Sequence, residues 1–205
     1  KLGNRNIVIE LQPVNNIENA RLLLYSYIKS KKYIKLYITT DNRELYTEGY
    51  VESIEVDLNA NPQMIQVSII CPDPYLYDVD ETEMPISTTA VNILNLGDSE
   101  TGFVTTFVMS GFVAGLQLTN STTNKSFKLR YAFQTADILT LNTMRGQKSI
   151  SLLRGTETIN LINYIEDDTE WPQLELGNNN ISFSADSGSN LISARVSFTL
   201  LYEGV

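Results

Sequence analysis

The chain has 205 residues, 24 acidic and 15 basic, giving a net charge of -9 and an isoelectric point near 4.5. Such a surface repels phosphate backbones and anionic membranes, so nucleic-acid and lipid-surface binding are set aside. With no histidine and a single cysteine, Cys71, the commonest general base, the Ser-His and Cys-His pairs, His-containing zinc sites, thiolate metal clusters and internal disulfides all fall away. No apolar run is long enough to span a bilayer, and no signal peptide is visible. The chain opens on Lys1 rather than Met, which reads as a processed, trimmed or partial piece of something longer.

In chain order, "NRNIVIELQP" (residues 4–13) reads as a strand ended by Pro13. Asn15, with Glu18 three residues on, reads as an N-cap and its capping-box partner. Ile17, Ala20, Leu24, Tyr27 and Ile28 recur at helical spacing, and Lys29, Lys31 and Lys32 suit a helix C-terminus, so a helix is expected from about residue 16 to about 30. "YIKLYIT" (Tyr33 to Thr39) is a strand and "TDNRE" a turn. A long hairpin follows around "NANP". Its first arm sets Tyr50, Ile54, Val56 and Leu58 against Ser53, Glu55 and Asp57. Its second sets Ile65, Val67, Ile69 and Cys71 against Met64, Gln66 and Ser68. Cys71 falls on the dry face and reads as a small buried hydrophobe.

"CPDPYLYDVDETEMP" has three prolines, five acids and no period, and reads as a domain boundary. Beyond Pro85 the pattern is nearly all β. Strands are expected over 90–96, 102–109, 113–119, 127–133, 138–142, 148–153, 180–184 and 192–202. The fold class is therefore mainly β with one helix: an α+β N-terminal module (1–75), an acidic linker (76–86) and a jelly-roll-like β-sandwich (87–205). "INLINYIEDD" (159–168) is either a strand or a short helical turn.

Each candidate site has a plain structural alternative. Asp78, Asp80, Glu81 and Glu83 suggest a Ca²⁺ site or a carboxylate pair, yet they lack the glycine turn and bidentate Glu of an EF-hand loop and read as a solvated linker. Ser26 and Lys29 match S-x-x-K without its companion motifs. Asn120, Asn124 and Asn180 head glycosylation sequons that mean little without secretion. Glu166, Asp167, Asp168 and Glu170 lie just before Trp171, the only tryptophan. An aromatic face beside carboxylates on a sandwich is how a sugar is held, with Trp171, Asp167 and Asp168 as glycan contacts. The alternative, a buried anchor Trp behind an acidic loop, fits the usual burial of Trp better. A glycoside hydrolase using two of these acids would need a facing pair roughly 5–9 Å apart, which adjacent acids in one loop do not define. In "WPQLELGNNNISFSADSGSN", Gly177 and Asn178 suit positive φ in a tight turn, and "SADSGSN" reads as a hairpin turn.

The motif order resembles the phage distal tail protein family, the siphovirus-type tail components. The matching pieces are "ARLLLYSYIKSKKYIKLYITTDNRELY", "GYVESIEVDLNANPQMIQVSIICPDPYLYD", "NILNLGDSETGFVTTF", "ILTLNTMRGQKSISL" and "WPQLELGNNNISFSADSG", with "LYEGV" after the last strand. The resemblance implies a non-enzymatic virion protein at the tail tip or baseplate, made in the bacterial cytoplasm. It implies an N-terminal belt module, a β-barrel-like α+β unit only partly present in residues 1–75, that forms a homo-hexameric ring continuing the tail tube, and an outward sandwich resembling galectins and carbohydrate-binding modules. Its implied partners are the tail tube, tail-tip hub and receptor-binding proteins. No catalytic residue, cofactor, metal, nucleic acid or membrane insertion is implied. The family's module begins before the position of Asn4, so the match is N-terminally incomplete. A carbohydrate-binding module for a bacterial surface glycan is the alternative.

Overall fold

The computed structural model describes residues 3–14, 16–57, 59 and 62–204. They form two compact units, residues 1–79 with 202–205, and residues 80–201. Among the described residues no helix is long and apolar enough to cross a membrane.

The first unit holds β1 (Arg5–Leu11), α1 (Ile17–Tyr27), β2 (Tyr33–Thr39), β3 (Glu44–Asp57), β4 (Met64–Cys71) and the start of β5 (Leu76–Ile86). All pairings are antiparallel, in the order β1-β4-β3-β5, with β2 also on β3. Val51, Val67, Ile69 and Cys71 form its buried core, and Leu24 and Ile28 of the helical segment pack against it.

The expected N-cap Asn15 lies outside the described residues. Asn16 caps the helix, its Oδ1 accepting from the Glu18 and Asn19 amides at 2.9 and 3.3 Å. From that register Glu18 pairs with Arg21 instead of reaching back. The helix is shorter than expected. It stops at Tyr27, so the lysines lie beyond its last turn. Tyr27, expected on the apolar face, is exposed. At 100° per residue it stands about 80° from the row of Ile17, Leu24 and Ile28.

The hairpin holds a further correction. Tyr50 was expected on the dry face with Ile54 and Val56, yet it is exposed, while Val51 is buried. The β3–β4 register slips between Val51 and Ser53. That extra residue reverses which parity points inward. Tyr50 thus joins Tyr33 on the outer face, ring centroids 4.9 Å apart and edge to face. Leu58, expected on the dry face, lies outside the described residues. In the second arm Ile65, Val67, Ile69 and Cys71 are all buried as expected, but Ser68, expected on the wet face, is buried too, its hydroxyl satisfied by the Glu52 carboxylate at 2.8 Å.

The segment 76–86, expected as a linker, is instead the strand β5. Its middle residues, Val79 to Glu83, are exposed, which suits the acids, and Pro85 sits one residue from its end. Glu83 pairs with Arg195 at 2.9 Å.

The second unit is a sandwich of two antiparallel sheets. One runs β5, β14 (Ile192–Tyr202), β7 (Val104–Met109), β10 (Ile138–Asn142), β11 (Ser149–Arg154) and β12 (Glu157–Asn160). The other runs β6 (Val91–Asn95), β13 (Gly177–Ser184), β8 (Val113–Asn120) and β9 (Lys125–Phe133). Alternate residues of both sheets meet between them, and Phe107 of β7 lies edge to face on Phe183 of β13, centroids 5.8 Å apart. All eight expected strands are present, and β12 is an addition. The strand or helical turn at 159–168 is a 3-10 turn, Ile162–Tyr164. Of the two residues expected in a left-handed turn, Gly177 has φ 82°, but Asn178 does not. Both belong to β13.

Candidate functional site

A cavity open to solvent lies in the sandwich unit, where the chain returns to the edge of β9. After Leu161, which is fully buried, the 3-10 turn closes with the Tyr164 amide donating to the Leu161 carbonyl at 2.9 Å. The Asn160 side chain caps it, accepting from the Ile162 amide at 2.9 Å. Residues 165–170 then lie along β9. The Glu166 amide donates to the Lys128 carbonyl at 3.1 Å, and the Glu170 amide to the Ser126 carbonyl at 2.9 Å. Thr169 Oγ1 both accepts from the Lys128 amide and donates to its carbonyl, each at 3.1 Å. The exposed edge of the sheet is thereby covered by main chain.

The cavity has a volume of about 470 Å³ and is lined by Arg130 and the run Asn163 to Asp168. Tyr164 is 47% exposed. Its ring is braced edge to face by Tyr131, centroids 4.9 Å apart, and Tyr131 leans on Phe133 at 5.2 Å. Behind them Arg154 lies 5.7 Å from the Tyr131 ring centre.

The acids differ in their partners. Asp168 is bonded to the Lys128 ammonium, which holds its carboxyl below the usual range and raises the lysine. Glu166 faces the Arg130 guanidinium at 3.6 Å. Asp167 is exposed and has no hydrogen-bond or ion-pair partner among the described residues.

Of the glycan contacts expected from sequence, Asp167 and Asp168 line this cavity and Trp171 does not. Trp171 is half-buried against the core, its ring 4.8 Å from that of Phe127 and tilted 59°, with the Lys148 ammonium 5.7 Å from its centre. Glu170 does not line the cavity either. Sequence reasoning missed Tyr164, Asn163 and Arg130. The available signal was Tyr164 two residues before Glu166, hidden because that stretch had no settled secondary structure. Arg130 comes from a strand more than thirty positions away, brought in by the pairing of Leu129 with Ile165. Among the described residues no group of three or more His, Cys, Asp or Glu could hold a metal ion.

The region after Trp171 is a buried amide network. Asn179 Oδ1 accepts from Asn120 Nδ2 and from the Glu175 amide, each at 3.0 Å. Asn179 Nδ2 donates to the Glu175 and Gly177 carbonyls at 2.7 and 3.0 Å. Asn179 is thus the internal scaffold of a chain corner, with every polar atom of its side chain in use, while Asn178 and Asn180 are exposed.

A family model described as siphovirus-type tail component, C-terminal domain, matches residues 96–202. No curated protein matches the chain by sequence. Among solved structures, the chain is similar to the Dit protein of phage SPP1, described as a paradigm of hub adsorption apparatus in phages infecting Gram-positive bacteria. The TM-score is 0.71 at 15% identity, covering 98% of this chain and 80% of that one. The phage P2 baseplate in its activated conformation with Ca gives a TM-score of 0.48 at 11% identity, covering 100% of this chain and 81% of that one. The SPP1 likeness shows a shared fold, β-rich with one helix, and the family model spans more than half of the sequence. This chain belongs to the siphovirus-type tail component family.

Proposed function

We propose that this protein is a non-enzymatic hub of a phage tail tip or baseplate, joining the tail tube to tail-tip or receptor-binding proteins and residing in the virion. The observation that carries the reading is the family match over the sandwich. The likeness of 98% of the chain to the SPP1 hub protein supports it. In this reading the N-terminal module, residues 1–75, supplies ring contacts, and the sandwich, residues 87–205, is an adaptor arm.

The outer face of β2 and β3 suits a ring contact chemically. It carries Tyr33, Tyr37 and Tyr50 half-exposed or more, with the Lys35 ammonium 3.5 Å from the Tyr46 ring centre. Rigid aromatics with polar tips are the side chains that protein interfaces favour. Tyr33 donates to Glu48 at 2.6 Å, which fixes its ring and pushes its hydroxyl pKa up to about 12.

Negative-stain microscopy of the full-length protein tests the reading. Six-fold rings with an open bore are expected, and a strictly monomeric full-length protein at high concentration would overturn the hub.

A further inference from the structure

We propose that the cavity beside β9 is a saccharide site, with the Tyr164 ring as its platform and Asn163, Asp167 and Arg130 as its hydrogen-bonding rim. This proposal stands independently of the hub reading.

Size comes first. A volume of about 470 Å³ lies within the roughly 300–1,000 Å³ of small-molecule sites. One or two sugar rings fit such a space.

The wall chemistry then narrows the ligand. A pyranose presents a face of C–H groups and a rim of hydroxyls. Tyr164 offers a half-exposed aromatic face, and its edge-to-face contact with Tyr131 fixes the ring before any ligand arrives. Preorganising the platform removes an ordering cost from binding. The rim offers both hydrogen-bonding senses. The Asn163 amide donates and accepts, the Asp167 carboxylate accepts, and the Arg130 guanidinium donates in a fork. Neither Asn163 nor Asp167 spends its side chain on another described residue, and the Arg130 side chain is 87% exposed. Adjacent hydroxyls of a sugar, each donor and acceptor, match this set.

Charge selects among sugars. Glu166 is faced by Arg130 and Asp168 by Lys128, which leaves the carboxylate of Asp167 uncompensated. An anionic sugar would meet that carboxylate, on a protein of net charge -9. The site therefore takes neutral saccharides, the hexoses and N-acetylhexosamines of a cell-surface polymer, in preference to phosphorylated ones. Trp171 has no part in it, because its ring is spent on Phe127 and the core.

Saturation-transfer NMR on the whole chain tests this with glucose, galactose, rhamnose and N-acetylglucosamine, with glycerol phosphate as the anionic comparator. At least one neutral sugar should receive saturation, and assigned spectra should show shifts at Asn163, Tyr164 and Asp167. Tyr164→Ala should abolish the transfer. Asp167→Ala and Asn163→Ala, both at exposed positions that leave the fold intact, should each weaken binding by about tenfold, the loss of one good hydrogen bond to a charged or amide group. Trp171→Phe should bind as the wild type does. Three results would overturn the proposal: no neutral sugar binds, glycerol phosphate alone binds, or binding survives in Asp167→Ala and Asn163→Ala alike.

Discussion

Asp137 and Arg154 close the open end of the β10–β11 hairpin. Asp137 precedes β10 and is 1% exposed, Arg154 ends β11, and two nitrogens of the guanidinium reach the carboxylate at 2.9 and 2.6 Å. The carboxylate also accepts from the Gln134 amide at 2.8 Å. Arg154, and then the amide, hold the Asp137 carboxyl below its ordinary value of 3.8, against the opposing effect of burial. A depressed folded pKa gives stability that is present above the unfolded pKa and lost as pH falls through the folded one. The melting temperature should therefore be insensitive to this pair from neutral pH down to about 5, then fall below about pH 4. In Asp137→Asn that acid-side fall should be shallower and the neutral-pH stability lower by about 2–3 kcal/mol, the scale of hydrogen bonds to a charged group. Thermal melts of both proteins across pH 3 to 7 check both signs.

The pair of Phe127 and Trp171 gives a graded comparison. Phe127 is 1% exposed and Trp171 is only half-buried against it. Phe127→Ala should cost about 3–5 kcal/mol, the usual range for a core aromatic. Trp171→Ala should cost less, since part of its surface stays exposed in the folded protein. Urea unfolding followed by circular dichroism would rank them, and equal losses would mean that Trp171 carries more of the core than its burial implies.

How far the sequence could be read depends on what sets each element. The eight later strands were legible because alternation and turn residues are local signals, and the Asn179 corner announced itself through its glycine and asparagines. Tyr50 was misread because the slip between Val51 and Ser53 leaves no mark in composition. Strand β5 was misread because acids on an exposed strand look the same as acids in a linker. The cavity was half legible. Asp167 and Asp168 were visible as a cluster, but Arg130 joins them only through the pairing of Leu129 with Ile165, a contact between distant parts of the chain.

Val51 and Tyr50 test the bulge directly. Val51→Ala should cost about 2 kcal/mol, because it removes most of a fully buried side chain. Tyr50→Ala should cost about 1 kcal/mol or less, the worth of an exposed aromatic pair. A strand of unbroken alternation would reverse the order, and chemical denaturation of the two variants separates the cases.

Thr105 is 0% exposed, and its hydroxyl has no hydrogen-bond partner among the described residues. Valine has nearly the same shape without the unsatisfied oxygen. Thr105→Val should raise stability by about 1 kcal/mol, seen as a higher urea midpoint at unchanged slope. A lower midpoint would show that the hydroxyl finds a partner in solution.

The slip beside Val51 gives β3 something like a reading frame. Residues before it follow one phase of in and out, and residues after it follow the other, so the aromatic outer face and the aliphatic hairpin arm are encoded out of step with each other. Deleting Glu52 would restore a single phase and force one half to turn its core-facing side chains to solvent. Substitutions along the tyrosine face can accumulate freely in such a strand. A one-residue insertion or deletion cannot, and its tolerance should drop sharply at this position relative to the turns on either side.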